Sequence, residues 1–190
     1  EMVYMNIDEI EIKLAASLKP GRYRHSLGVA YTAASLAMVF DQDIQKAFRA
    51  GLLHDCAKGY SLEKQEVFCR KYGICLDEIL PDSPQLMHSA LAPYIAGDFY
   101  QEEDQEILSA IECHTTGKPD MTPLEEIIFI ADYMEPNRKM IPGLVKVRKL
   151  AFQDLHQCVR EILKNTIGYL ESRGQKIGHK TIETYEYYQA

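Results

Sequence analysis

Apolar residues along this chain recur at three- and four-residue intervals and strand-like alternation is nearly absent, so the pattern predicts helices almost throughout. Asn6 and Asp8 can cap a first helix with Ile7, Ile10 and Leu14 on one face, ending before Pro20-Gly21. A second helix, from about Tyr23 to Phe40, is small and apolar nearly all round, as a central helix is. A third, near Asp43 to Ala57, turns Ile44, Ala47, Phe48 and Leu52 inward, and Ser61 then caps a polar helix that stops around Gly73. Ser83-Pro84 sets an N-cap before a proline at the first helical position. Thr122-Pro123-Leu124-Glu125 adds a capping box to that signal. Between them, Asp104 to Cys113 reads as a short helix running into His114-Thr115-Thr116-Gly117. The last long helix, Asp154 to about Ser172, carries Leu155, Val159, Ile162 and Leu170 on one stripe and stops at Gly174. Beyond it, Gln175 to Ala190 is expected to be a polar, tyrosine-rich tail with no core of its own. The expected fold is an all-α helical bundle, one domain over residues 1–190.

At 190 residues, 46% hydrophobic and 26% charged, the chain has an ordinary globular composition. A chain of this size buries roughly 70% of the surface its unfolded form exposes, so neither disulfides nor a structural metal is needed for folding. Five cysteines, none in a CxxC pair, suit free thiols in a reducing cytoplasm. Cys56 and Cys113 stand beside candidate metal ligands but read as small buried hydrophobes. The first residues lack the basic start and apolar core of a signal peptide. Ser26 to Phe40, free of charge, falls short of the roughly 20 apolar residues of a membrane span. A cytoplasmic protein is expected, with no membrane contact. The net charge of -7, from 28 acidic and 21 basic residues, argues against a nucleic-acid partner. It leaves room for a small phosphorylated ligand in a local basic pocket.

The doublet His54-Asp55 is weak evidence alone. Of the six histidines, however, His25, His54, His88 and His114 stand at or near predicted helix ends or beginnings. Asp132 follows the apolar run Ile127-Ile128-Phe129-Ile130-Ala131 on the helix opened by the capping box. Burying a carboxylate is costly unless it is paired or ligates a cation, and metal coordination answers that cost for Asp55 and Asp132 together. Imidazoles with carboxylates suit Fe, Mn or Zn, whereas an all-oxygen set would suit Mg or Ca. Four histidines and two aspartates are too many for one tetrahedral ion but adequate for two open sites. Asp55, with two oxygens, is the natural bridge between ions roughly 3.5–4 Å apart. Such a pair activates water for in-line attack on phosphorus and neutralises charge on the phosphoryl oxygens, so no Ser or Cys nucleophile is required. Neither a P-loop nor GxSxG occurs.

Basic residues recur beside these blocks: Arg22 and Arg24, Lys58, Lys118, and Arg138 with Lys139. On a helix Lys58 would lie one turn from His54, on the same side. The recurrence suggests a cationic rim for an oligophosphate, although Arg24, Lys118 and Lys139 read equally well as solvated surface charges. His156 reads as structural and Lys146-Val147-Arg148-Lys149 as a solvated helix face.

Taken in order, the segments Arg22–Val29, Gly51–Lys58, Met87-His88-Ser89, His114-Thr115-Thr116-Gly117, and Ile130-Ala131-Asp132 with Glu135-Pro136-Asn137-Arg138 resemble the HD superfamily. More closely, they resemble the bacterial YqeK family of symmetrical diadenosine tetraphosphate hydrolases. The resemblance implies the helical HD fold, two iron ions (Mn, Co and Zn being the other candidates) and two ADP molecules as products. It implies that His25, His54, Asp55 and Asp132 hold one metal and Asp55, His88 and His114 the other. His54, Asp55 and Lys58 become the catalytic core, with Arg22, Lys58 and Arg138 as phosphate contacts. In that family a C-terminal His-Pro-x-Thr segment closes over the nucleotide. Here the segment is Gly178-His179-Lys180-Thr181, so Thr181 fits and the His-Pro pair does not. These four residues are carried as nucleotide contacts, with His179 read as a backbone or surface group before a catalytic acid. The rival readings are another HD phosphohydrolase, acting on nucleotide monoesters or cyclic nucleotides, and a non-catalytic nucleotide-sensing module. A homodimer is left open.

Overall fold

The computed structural model describes residues 5–79 and 83–189, and among them only helices, turns and loops occur. Helix α1 (Ile7–Ser17) opens with a reciprocal cap: the Asn6 side chain accepts from the Glu9 N–H, and the Glu9 carboxylate accepts from that of Asn6. Helix α2 (Pro20–Val39) begins at the proline expected to separate it from α1. A proline in the first turn sacrifices no helical hydrogen bond, so Pro20 starts the helix that it seemed only to delimit. Helix α3 (Ile44–Leu53) is capped by Asp43 and packs along α2. The two backbones approach so closely at Gly51 that a Cβ there would stand 2.7 Å from Ala30 Cα. Ile44, expected inward, is exposed at the first turn of α3.

The predicted continuation of α3 to Ala57 does not occur. The helix stops at Leu53, and after His54 and Asp55 the chain enters a 3-10 turn at Cys56–Gly59. Helix α4 (Leu62–Lys71) starts at Ser61 as its sequence indicates and is followed by the short α5 (Leu76–Ile79). Ser83 caps a 3-10 turn, Pro84–Leu86, that runs directly into α6 (Met87–Tyr100). Helix α7 (Gln105–Glu112) takes its cap from Asp104, and α8 (Pro123–Met134) from the Thr122/Glu125 box. Next come α9 (Leu144–Ala151) and α10 (Leu155–Ser172), the latter capped by Asp154.

Two expectations are corrected in the last third of the chain. The segment Lys146–Lys149 is not simply a solvated face, because Val147 is fully buried and Arg148 donates to the carbonyls of Met134 and Glu135. The tail is a helix, α11 (His179–Gln189), which packs on α10. Its inner face is Thr181, Thr184 and Tyr188, a helical spacing written in polar-capable residues. The Tyr188 hydroxyl donates to Glu126 at 2.8 Å, and its ring lies 4.4 Å from that of His156. The tail therefore borrows its core from α8 and α10.

Helices α2, α3, α7 and α8 pack together in the middle, with α6 against α7 and α10 against α8. Leu36, Leu52, Leu91, Ile111, Ile127 and Ile130 are fully buried there, each worth about 1.5–3 kcal/mol in removed apolar surface. Cys56, Cys69, Cys113 and Cys158 are buried, and burial pushes the Cys113 thiol up to about 12. Among the described residues no helix is long and apolar enough to cross a membrane.

Candidate metal centre

Six side chains from five parts of the chain meet at one end of this core. His25 comes from α2, His54 and Asp55 from the break after α3, and His88 from the start of α6. His114 comes from the turn after α7, and Asp132 from the last turns of α8. That turn requires Gly117, whose φ of 65° is disfavoured for residues with a side chain. Thr115 donates to the Ser89 hydroxyl at 2.9 Å, which ties the His114 turn to the His88 helix.

Asp55 stands between two groups. Its Oδ2 lies 3.4 Å from His54 Nε2 and 3.7 Å from His25 Nε2. Its Oδ1 lies 3.4 Å from both His88 Nε2 and His114 Nε2. Asp132 Oδ1 completes the first group, 2.9 Å from His25 Nε2 and 3.6 Å from His54 Nε2. The outward Nδ1 atoms decide the tautomers. Those of His54, His88 and His114 each lie 2.6 Å from a carbonyl oxygen, of Gly51, Gln85 and Ile111 respectively. A carbonyl can only accept, so Nδ1 carries the proton and Nε2 presents its lone pair inward.

Lone pairs and carboxylate oxygens thus face one another. His88 Nε2 and His114 Nε2 are 3.2 Å apart, and the buried His54 Nε2 and Asp55 Oδ1 lack hydrogen-bond partners. An acceptor-rich cluster of this kind is costly unless a cation occupies its centre. The electrostatics show the same demand for positive charge, which a proton on His54 answers when no cation does. Burial opposes a charge on His54, yet Asp55 and Asp132 raise its pKa to about 10. Against their own burial, neighbouring histidines hold both Asp55 and Asp132 well below the usual carboxylate range. His88, on the other side, is lowered to about 3 by burial and by the charges of His114 and Lys58. Three overlapping trios, His25/His54/Asp55, His54/His114/Asp132 and Asp55/His88/His114, are each compact enough to hold a metal ion.

The predicted cations divide into two classes. Arg22 Nη1 reaches Asp55 Oδ2 at 2.8 Å, and Arg138 Nη2 reaches Asp132 Oδ1 at 2.6 Å. Lys58 Nζ lies 3.5 Å from Asp55 Oδ1, placed by the 3-10 turn and not by the helical spacing expected from His54. Arg22, Arg138 and Lys139 border a cavity of about 560 Å³ that opens onto His25, His114 and Asp132, with Phe129, Tyr133 and Ile162 as an apolar wall. Lys118 is committed elsewhere, to Glu125 and Ser109, and Arg24 is exposed beside a different groove. Gly178, His179 and Lys180 border a separate pocket of about 50 Å³ with Ser89 and Thr116, while Thr181 is buried. The structure therefore brings the tail against the His88/His114 side and not to the large cavity.

Glu135 went unassigned in the sequence, although it lies in the Glu135-Pro136-Asn137-Arg138 segment. It is buried, and its Oε1 lies 3.0 Å from His25 Nδ1. The only available signal was an acidic residue three positions past Asp132, just where a helix rich in apolar residues ends.

Residues 22–137 match the HD domain family, a span that contains all six clustered side chains. The chain belongs to the HD domain family. Hydrolases of this family are metal-dependent, in keeping with the cluster of histidine and aspartate. Among HD relatives, a symmetrical bis(5'-nucleosyl)-tetraphosphatase from Staphylococcus aureus is 38% identical over 97% of this chain and 95% of its own length. One of the same name from Bacillus subtilis is 37% identical over 96% of this chain and 97% of its own. The crystal structure of a protein described as a predicted HD superfamily hydrolase involved in NAD metabolism, from Clostridium acetobutylicum, superposes with a TM-score of 0.93. It is 39% identical in sequence, and the match covers 98% of both chains.

Proposed function

We propose that this HD-family chain is a symmetrical bis(5'-nucleosyl)-tetraphosphatase, a hydrolase that splits diadenosine tetraphosphate into two ADP. One observation carries the chemistry: Asp55 turns one oxygen to His25 and His54 and the other to His88 and His114, beside a cavity rimmed by Arg22 and Arg138. Full-length similarity to enzymes of that name supports the choice of substrate. The acceptor-rich cluster fits two divalent ions, with His25, His54, Asp55 and Asp132 holding one and Asp55, His88 and His114 the other. Iron is our first assignment, and the same nitrogen and oxygen donors suit Mn, Co or Zn. Bound there, such ions supply Lewis acidity and an activated water for attack on phosphorus.

The chain's own groups do the rest. Arg22 and Arg138 already hold carboxylates in charge-assisted hydrogen bonds, and their remaining N–H groups are placed to take phosphate oxygens. Lys58, beside Asp55 Oδ1, adds positive charge where the phosphoanhydride develops negative charge. The cavity, about 560 Å³, lies within the range of roughly 300–1,000 Å³ typical of small-molecule and cofactor sites. Residues 1–190 work as one HD unit in a reducing cytoplasm, as the five unpaired cysteines suggest. Gly178, His179 and Lys180 border the small pocket beside Ser89 and Thr116, outside the large cavity, so they meet only a nucleotide end that extends past the His88/His114 side, while buried Thr181 supports them from within. The test is chromatographic: purified protein with Fe, Mn or Co should convert diadenosine tetraphosphate to ADP alone. AMP with ATP, or free phosphate, would overturn symmetrical cleavage, and binding without turnover would leave a sensing module.

A further inference from the structure

Each clustered histidine needs its outward nitrogen held if the inward one is to face the centre. His54, His88 and His114 do this with a carbonyl three residues earlier, at 2.6 Å. All three stand at helix ends or junctions, where carbonyls lack a full set of intrahelical partners. His25 lies inside α2, where the helical ladder consumes those carbonyls. Its partner comes instead from 110 residues away: the Glu135 carboxylate, with Oε1 3.0 Å from His25 Nδ1.

This carboxylate is pinned from every side. Its Oε2 accepts from the Asn137 backbone N–H at 2.6 Å and from Asn137 Nδ2 at 3.0 Å. The Glu135 carbonyl accepts from Arg148 at 3.0 Å. On α2, a Cβ at position 28 would stand 2.3 Å from Glu135 Oε2, so Gly28 leaves the passage that the carboxylate fills. Both oxygens face donors, and only an acceptor-only group satisfies them together. An amide would set its NH2 either against the Asn137 donors or against His25 Nδ1. In the second case the imidazole proton moves to Nε2 and closes the lone pair that faces Asp55 and Asp132.

Resting on the two-ion reading above, we propose that Glu135 is the positioning residue for the ion held by His25, His54, Asp55 and Asp132. It locks the His25 tautomer and ring and adds negative charge behind the imidazole, while the Asp55/His88/His114 set does not depend on it. Outer partners of this kind govern metal affinity by about 10–100-fold.

The experiment is calorimetric titration of metal-free protein with Mn²⁺, beside a thermal melt of the same metal-free samples. Wild type should take two Mn²⁺. Glu135→Gln should weaken one of them about 10–100-fold, leave the other unchanged, and melt within a few degrees of wild type. In a His88→Ala background, which takes a donor from the Asp55/His88/His114 set and leaves the four-donor set whole, the same substitution should weaken the one remaining tightly held ion. Equal loss of both ions, or wild-type affinity for both, overturns the proposal. Failure of wild type to bind two Mn²⁺ would instead sink the two-ion reading. Should Glu135→Gln not fold, Glu135→Asp replaces it: the charge stays but is drawn one methylene from His25. Weakening of the same single ion is then expected, and unchanged binding of both overturns the proposal.

Discussion

Asp55 is the residue on which both halves of the centre depend, since each of its oxygens serves a different pair of imidazoles. Asp55→Ala should therefore reduce turnover to background and abolish tight Mn²⁺ binding at both positions, read by the same product assay and titration. Retained wild-type turnover would contradict the mechanism. Gly51 illustrates a residue whose absent side chain matters. A methyl there would meet the α2 backbone at 2.7 Å, and backbone cannot swing aside as a flexible side chain does. Gly51→Ala should cost about 1–3 kcal/mol from overpacking. For a chain of this size that lowers Tm by roughly 2–12 °C in a thermal melt. The four histidines were readable because they stood at or near helix-end signals, and Asp55 and Asp132 because a carboxylate is costly to bury unless it is paired or ligates a cation. Glu135 was not, because its task is to hold a histidine 110 positions earlier, a relation that local pattern does not encode.

Helix starts were the most legible feature at the level of elements, since Asn6, Asp43, Ser61, Asp104, Thr122 and Asp154 all cap the helices that follow them. Thr122→Ala should remove half of the box on α8 and cost about 1 kcal/mol, visible as a lowered Tm with turnover per folded molecule unchanged. Helix ends were harder. The apolar pattern continues to Ala57, yet α3 ends at Leu53 and frees the Gly51 carbonyl for the His54 ring. Helix α11 was missed because Thr181, Thr184 and Tyr188 hide a buried face under polar names. Thr184 packs against the glycine turn that follows His114, so this helix supports the site from behind. Its anchor, Glu126, is buried, and burial raises its pKa above the usual 4.5 despite the hydrogen bond from Tyr188. A raised folded-state pKa means that this carboxyl favours the fold when protonated, below about pH 4.5, and that the advantage fades as pH rises through the folded value. Glu126→Gln keeps an acceptor for Tyr188 without the buried charge. Its melt should match wild type near pH 4 and exceed it at pH 7, and a lower Tm at pH 7 would reject the account.

At the scale of the molecule, the cluster couples metal to stability, because its donors come from α2, α3, α6, α7 and α8 or the turns beside them and converge only in the folded chain. Mn²⁺ at 100 times its dissociation constant should add about 2.7 kcal/mol per site. That corresponds to a rise of roughly 5–11 °C in Tm, and a chelator should reverse it together with turnover. No shift would mean that the cluster does not hold an ion. By itself the sequence determined the helical class, the helix caps and six candidate metal ligands, because each follows from periodicity or from the chemistry of a residue type beside a local signal. Only the tertiary structure decided that Asp55 divides its oxygens between two sets, that Glu135 stands behind His25, and that the tail folds as α11. Those are distances between residues far apart in the chain, and packing alone sets them.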